Sequence, residues 1–140
     1  MSFQPIQRLQ GLRVLVVDDN DDACKLVSLI LETYQVEVTT VNSVQEALSR
    51  FEALQPDLII SDIAMPQEDG YSLLSQIRAR SNHKLPPAIA MTAYQVEEDD
   101  QTIRAAGFQF CLTKPIDPEQ LITAIVTLNS IDKTVHHANP

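Results

Sequence analysis

Four charged side chains stand directly after strand-like apolar runs of this sequence: Asp18, Asp19, Asp62 and Lys114. Charged groups are costly to bury without a partner, so the ends of buried strands are poor places for them unless they act together. If the runs are strands of one parallel sheet, their carboxyl ends gather three carboxylates and one lysine in one crevice. Carboxylates are the ligands that Mg²⁺ prefers, and a lysine can pair with phosphoryl oxygens. The pattern therefore predicts a site for a divalent cation and a phosphoryl group.

Each of these residues could act in phosphoryl transfer. Asp18 and Asp19 would supply hard oxygen ligands for Mg²⁺, with Mn²⁺ as an alternative ion. Asp62 could be both ligand and nucleophile, because an aspartate carboxylate can attack a phosphoryl group and form an acyl phosphate. Lys114 would pair with one phosphoryl oxygen, and the hydroxyl of Thr92, which ends another apolar run, would donate to a second.

Each residue taken alone also has an ordinary structural explanation. The acidic run 18–22 could cap and solvate the start of a helix, and Asp62 could be a turn residue. Thr92 is a typical strand residue, and Lys114-Pro115 could be an exposed strand end before a helix breaker. The co-occurrence of all the groups that one reaction needs, at successive strand ends, favours the functional interpretation.

The elements that must position these residues alternate between strand and helix along the chain. Strands are predicted at about 13–18, 36–41, 57–61, 88–92 and 108–113. The pair Ser43 and Glu46 predicts a capping box at one helix start, and Asp117 before Pro118 predicts another start. A fourth helix is expected at about 95–106, ended by Gly107. This alternation predicts an α/β fold with a mostly parallel sheet.

Composition narrows the class of protein further. The chain has 140 residues, 44% of them hydrophobic, which suits one globular domain. No apolar stretch approaches the roughly 20 residues that span a membrane, and no signal peptide is recognisable. The two cysteines show no pairing motif, so a cytoplasmic location is expected. A net charge of −9 argues against direct binding of nucleic acid.

Four motifs in order resemble the receiver domain of two-component response regulators. They are Val-Leu-Val-Val-Asp18-Asp19-Asn20, Ser-Asp62-Ile-Ala-Met-Pro, Met-Thr92-Ala and Leu-Thr-Lys114-Pro. The resemblance covers about residues 12–128. It implies a flavodoxin-like fold with a five-stranded parallel sheet in the order 2-1-3-4-5, in a single domain. The expected division is a lead-in at 1–11, a receiver domain at 12–129 and a flexible tail at 130–140.

The resemblance also implies a role for each residue of the site. Asp62 would be the phosphoacceptor, and Asp18, Asp19 and Asp62 would bind Mg²⁺ together with the main-chain carbonyl of Ala64. Lys114 would be the partner of the phosphoryl group.

A second group is expected to modulate the switch: Thr92, Ala93, Tyr94, Cys111 and Pro115. Thr92 would be the switch hydroxyl, and the bond before Pro115 would be cis. Cys111 stands where many receivers carry Tyr or Phe, on the face of its strand opposite its neighbours. A thiol is too small to fill that space, so the usual coupling to Thr92 is expected to change. Tyr94 could cover the site, and Ala64 offers no group to orient water, which predicts slow self-dephosphorylation.

The resemblance implies partners rather than a diffusing substrate. The donor would be a phosphohistidine on a histidine kinase or phosphotransfer protein. Phosphorylation would alter the face formed by the fourth helix, last strand and last helix, where a downstream target or a second copy could bind. Two other functions stay open: a receiver-like scaffold without phosphorylation, and, disfavoured by the short chain, a phosphatase of the haloacid-dehalogenase type.

Overall fold

The computed structural model of the protein describes residues 9–65, 69–80, 85–93 and 100–138, with residue 100 and residues 130–138 as backbone only. Strands and helices alternate through these residues, as the sequence predicts. The elements are β1 (Arg13–Val17), α1 (Asp21–Glu32), β2 (Glu37–Val41), α2 (Val44–Leu54), β3 (Leu58–Asp62), α3 (Gly70–Arg80), β4 (Ala88–Thr92), α4 (Asp100–Ala106), β5 (Phe110–Thr113) and α5 (Pro118–Ala138).

The strands form one parallel sheet in the order β2-β1-β3-β4-β5. This order confirms the flavodoxin-like fold. Every residue of β3 and β4 is buried, whereas the edge strands β2 and β5 are partly exposed. Central strands are covered by helices on both faces, which explains the apolar runs that precede Asp62 and Thr92 in β3 and β4. The order of the strands reverses between β1 and β3, so a ligand site is expected at the carboxyl ends of these two strands.

Each face of the sheet has its own core, because successive side chains of a strand point to opposite faces. On one face, Val14 and Val16 pack with residues of α1 and α5. On the other face, Leu15 and Val17 pack with residues of α2, α3 and α4. The result is the three-layer arrangement of α/β domains. Of the helices described, none has the length and apolar character needed to cross a membrane.

The start of α1 explains part of the acidic run at 18–22. Asn20 is the N-cap residue, and its Oδ1 accepts a hydrogen bond of 2.9 Å from Ala23 N. Asp21 and Asp22 lie in the first turn, where negative charge suits the helix dipole. Helix capping therefore accounts for residues 20–22 and leaves Asp18 and Asp19 without a capping role.

The start of α2 follows the predicted capping box only in part. Ser43 Oγ accepts a hydrogen bond of 3.1 Å from Glu46 N, as predicted. The bond to Glu46 Oε1 comes from Asn42 N, also at 3.1 Å, one residue before the position that a capping box uses. The Glu46 side chain thus ties the residue after β2 to the first turn of α2.

The ends of the last two helices can be compared with their predicted limits. Gly107 follows α4 with a φ of 114°, which confirms the predicted glycine stop. The predicted start of α4, at residue 95, lies outside the described residues. The sequence predicts that α5 ends near residue 129, but its backbone is helical to Ala138. No glycine or proline interrupts residues 119–139, so the chain offers no strong stop signal there. The domain limits at 11 and 129 remain a prediction.

Candidate functional site

The carboxyl ends of β1 and β3 bring the acidic residues together. Val17 of β1 is in register with Ser61 of β3, so the residues that follow them, Asp18 and Asp62, lie side by side. One carboxylate oxygen from each of Asp18, Asp19 and Asp62 lies within 4.8 Å of the other two. Asp18 and Asp62 are buried and Asp19 is exposed. The three carboxylates form the cluster that the strand ends predict.

Lys114 reaches this cluster from β5, although β4 separates β5 from β3 in the sheet. Its Nζ lies 2.7 Å from Asp18 Oδ2 and 3.2 Å from Asp62 Oδ2. The side chain is 20% exposed, and its long aliphatic stem lets the ammonium group span the neighbouring strand. The lysine therefore bridges the two buried carboxylates.

The electrostatics of the cluster follow from burial and from this bridge. Burial raises the pKa of the Asp18 carboxyl, and the contact with Lys114 and the hydrogen bond from Asn20 N offset part of the rise. Partial burial lowers the pKa of Lys114, but the Asp18 and Asp62 carboxylates more than compensate, so the pKa is raised overall. The lysine is therefore the cation that stabilises two closely spaced carboxylates.

The donor set fits a hard divalent cation. Three carboxylates face one ammonium group, so negative charge is in excess. Asp18 Oδ2 is fully buried, and its contact is the Lys114 ammonium group at 2.7 Å. A buried carboxylate oxygen with unused capacity, beside two further carboxylates, is the kind of ligand that Mg²⁺ takes, one or two at a time with waters. The Ala64 carbonyl remains a predicted ligand; Ala64 N donates to Asp62 Oδ1 at 3.0 Å.

Two residues to which the sequence assigned no site role hold the main chain of Asp18. Asn42 Nδ2 and Cys24 Sγ each donate to Asp18 O, both at 3.3 Å. Burial raises the pKa of the Cys24 thiol to about 11, and the Asp18 and Asp21 carboxylates add to the rise. The thiol is therefore protonated at neutral pH and able to donate. Cys24 lies in the first turn of α1, whereas Asn42 follows β2 and is 24 positions from Asp18, so no local motif could have identified Asn42.

Gly70 packs against the end of β3, where Asp62 lies. A Cβ at this position would lie 2.5 Å from Asp62 O, 3.0 Å from Ile63 Cα and 3.1 Å from Ser61 Oγ. The Ser61 hydroxyl itself donates to Asp62 O at 2.9 Å. The sequence marked Gly70 only as part of a turn, whereas the structure shows that no side chain fits between the first turn of α3 and the end of β3.

The substitution Gly70→Ala is expected to lower the free energy of unfolding by about 2 kcal/mol, because overpacking against main-chain atoms forces the backbone apart. Urea unfolding of the variant measures this loss. Gly11→Ala is the contrasting variant. A Cβ at Gly11 would meet nothing within 4 Å, and the φ there is 80°, so its cost comes from backbone conformation and not from overpacking. A Gly70→Ala variant as stable as wild type would show that the main chain at Asp62 and Ile63 can move to accommodate a methyl group.

The proposed switch residues have different placements. Thr92 is the last residue of β4 and is 7% exposed, one position beyond Met91, which is in register with Asp62. Lys114 N donates to Thr92 O at 2.7 Å, so the main chains of Thr92 and Lys114 are linked. Ala93 is exposed. Tyr94 lies outside the described residues, and its predicted role as a cover remains an expectation.

Cys111 lies on the face of β5 that the strand period predicts. It is half-buried against the core of α2, α3 and α4, whereas Phe110 and Leu112 pack on the opposite core. The Lys114–Pro115 bond is cis, in agreement with the resemblance. That Cys111 and Pro115 modulate a switch remains a prediction.

The Lys114→Met substitution is expected to lower the free energy of unfolding by about 3 kcal/mol in the absence of divalent cations. Removing one partner of a buried pair leaves the other charge uncompensated, and the Asp18 side chain is fully buried. Urea unfolding in EDTA measures the effect. Lys25→Met removes the same charge from an exposed position and is the matched control. Equal stabilities for the two variants would contradict the prediction.

Comparisons with known proteins agree with this geometry. The family model of the response regulator receiver domain matches residues 14–126. The chemotaxis response regulator CheY4 of Vibrio cholerae, a solved structure, is 31% identical with a TM-score of 0.77, over 85% of this chain and 99% of that one.

Two curated relatives differ in length. An uncharacterized 14.6 kDa protein of the sodA1 3′ region of Leptolyngbya boryana is 42% identical over 120 residues, which cover 86% of this chain and 92% of the relative. Hybrid signal transduction histidine kinase D of Dictyostelium discoideum is 32% identical over 130 residues, which cover 86% of this chain but 8% of the kinase. The chain thus matches nearly the whole of one relative and a small part of the other.

Proposed function

Because this chain belongs to the response regulator receiver domain family, we propose that Asp62 accepts a phosphoryl group from a phosphohistidine in a Mg²⁺-dependent reaction. Receiver domains act in two-component phosphorelay signalling as phosphoacceptor switches rather than as turnover enzymes, and they bind Mg²⁺ at their acidic pocket. The observation that carries the proposal is the placement of Asp62 within one cluster that also contains Asp18, Asp19 and Lys114.

Asp62 suits the acceptor role better than its two acidic neighbours. Asp18 is fully buried, and its Oδ2 is held 2.7 Å from Lys114. Asp19 is exposed, so solvent surrounds its carboxylate. Asp62 retains 5% exposure, its Oδ1 accepts from Ala64 N at 3.0 Å, and its Oδ2 lies 3.2 Å from Lys114. A carboxylate that is held in a fixed direction and keeps a small exposed area is the better nucleophile.

The transfer forms a bond between an Asp62 carboxylate oxygen and phosphorus, while the bond from phosphorus to the donor's imidazole nitrogen breaks. The electron pair of that broken bond goes to the imidazole. When bound, Mg²⁺ supplies neutralisation of the charge on the phosphoryl oxygens, and Asp18, Asp19 and Asp62 would hold it with the Ala64 carbonyl. Lys114 Nζ, already 3.2 Å from Asp62 Oδ2, would donate to one phosphoryl oxygen and the Thr92 hydroxyl to another.

Phosphorylation would then shift an equilibrium between two conformations of the domain. Movement of Thr92 toward the phosphoryl group would alter the face of α4, β5 and α5. Family members partner with histidine kinases or phosphotransfer proteins and with downstream targets, and we propose the same classes here, with a second copy at the α4–β5–α5 face. The proposal includes the cytoplasmic location expected from the sequence.

The test is phosphorylation of the full chain with acetyl phosphate, read by intact mass. We expect one phosphoryl adduct that requires Mg²⁺ and disappears with EDTA. Mn²⁺ binding, measured by electron paramagnetic resonance of the free ion, reports the cation site independently. A chain that binds Mn²⁺ but forms no adduct would overturn the proposal and favour a receiver-like scaffold.

A further inference from the structure

Asn42, the residue that follows edge strand β2, contacts the loop that carries the two adjacent aspartates. Its Nδ2 donates to Asp18 O at 3.3 Å and to Asp21 Oδ1 at 3.1 Å. Both partners are acceptors, so the side chain must present a donor. An amide does so without adding charge beside the carboxylate cluster, whereas an aspartate at this position could not donate.

The oxygen that Asn42 contacts belongs to the peptide unit between Asp18 and Asp19. Because a peptide unit is planar, fixing this carbonyl fixes the direction in which the chain leaves Asp18 and enters Asp19. Cys24 Sγ donates to the same oxygen at 3.3 Å, so both of its lone pairs have partners. On the other side of Asp18, its N–H donates to Val41 O at 3.1 Å. The end of β2 thus holds the main chain on both sides of Asp18.

Asn42 is itself held in place. Its N–H donates to Glu46 Oε1 at 3.1 Å in the first turn of α2. The contact between Asn42 and Asp18 joins residues 24 positions apart in the sequence, and it links the β2–α2 loop to the β1–α1 loop. The main chain of Asn42 is therefore held by the first turn of α2, while its side-chain amide donates to the loop of Asp18 and Asp19.

We propose that Asn42 is a positioning residue for the divalent-cation site: by holding the Asp18–Asp19 peptide unit, it sets the relative direction of the two carboxylates and thereby the affinity for Mg²⁺. This inference rests on the proposed function, because it concerns the same cation site. Cation sites depend strongly on the groups that orient their ligands, and loss of such a group typically lowers metal affinity about 10- to 100-fold.

The experiment measures the dissociation constant of Mn²⁺ for the full, unphosphorylated chain by electron paramagnetic resonance. Asn42→Ala removes the donor without changing charge, and we expect about 10-fold weaker binding. Asn42→Gln restores an amide on an exposed loop position and is expected to recover most of the affinity. Ser43→Ala is the matched control, because it weakens the N-cap of α2 next to Asn42 without touching Asp18.

The outcomes separate this inference from the proposed function. Weaker binding by Asn42→Ala, with recovery in Asn42→Gln and wild-type affinity in Ser43→Ala, supports a positioning role. Wild-type affinity in Asn42→Ala, or an equal loss in Ser43→Ala, overturns it and leaves the proposed function standing. If wild type itself binds no Mn²⁺, the cation site of the proposed function fails, and this inference fails with it. Circular dichroism of each variant verifies that it is folded.

Discussion

Asp62→Asn is expected to abolish the phosphoryl adduct formed with acetyl phosphate and Mg²⁺, as measured by intact mass. The amide has nearly the shape of the carboxylate, so the loop can keep the contact with Ala64 N. It lacks the anionic oxygen that attacks phosphorus, and an aspartate nucleophile is what makes an acyl phosphate. The expected effect is therefore a complete loss of adduct in a folded protein.

Asp57→Asn is the matched control for this result. Asp57 is exposed and stands immediately before β3, at the opposite end of the strand from Asp62. Asp57 carries the same charge as Asp62 and receives the same substitution. If acetyl phosphate modified carboxylates without selectivity, the two substitutions would lower the amount of adduct equally. We expect the control to keep the full adduct. An adduct on Asp62→Asn would assign the acceptor to another residue.

Asp18→Asn is expected to make the cation-free protein more stable by about 1 kcal/mol while weakening Mn²⁺ binding by more than about 10-fold. Burial raises the pKa of the Asp18 carboxyl above its unfolded value. The unfolded chain thus releases this proton more readily, and ionisation at neutral pH opposes folding. An uncharged amide removes that cost, and Lys114 keeps Asp62 as its partner at 3.2 Å. The same amide is a poorer ligand for a divalent cation.

Urea unfolding in EDTA and Mn²⁺ titration measure the two effects. Asp22→Asn, which changes net charge equally at an exposed position of α1, is the control and is expected to leave cation binding unchanged. A loss of stability in Asp18→Asn would mean that the ion pair with Lys114 outweighs the burial of the carboxylate. Higher stability together with weaker Mn²⁺ binding would show that the Asp18 carboxylate lowers the stability of the fold and is needed for cation binding.

The local pattern of the sequence determined the strands and helices. It also determined the strand ends at which the site lies. Strand–helix alternation predicted the α/β class, and apolar runs ending on Asp18, Asp62, Thr92 and Lys114 predicted where chemistry would lie. The two-residue period of strands placed Cys111 on the correct face, and Gly107 marked the end of α4. The order 2-1-3-4-5 came from the resemblance to receiver domains, because periodicity alone does not order parallel strands.

The tertiary structure decided the contacts between residues that are distant in the chain. The reach of Lys114 across β4 to two carboxylates depends on strand register and on a long flexible stem. Asn42 contacts Asp18 only because the loops at the carboxyl ends of β1 and β2 meet. Gly70 approaches the main chain of Asp62 only when α3 packs against the sheet. Propensity and period act over a few neighbouring residues, whereas these contacts arise when the packed core brings separate loops together.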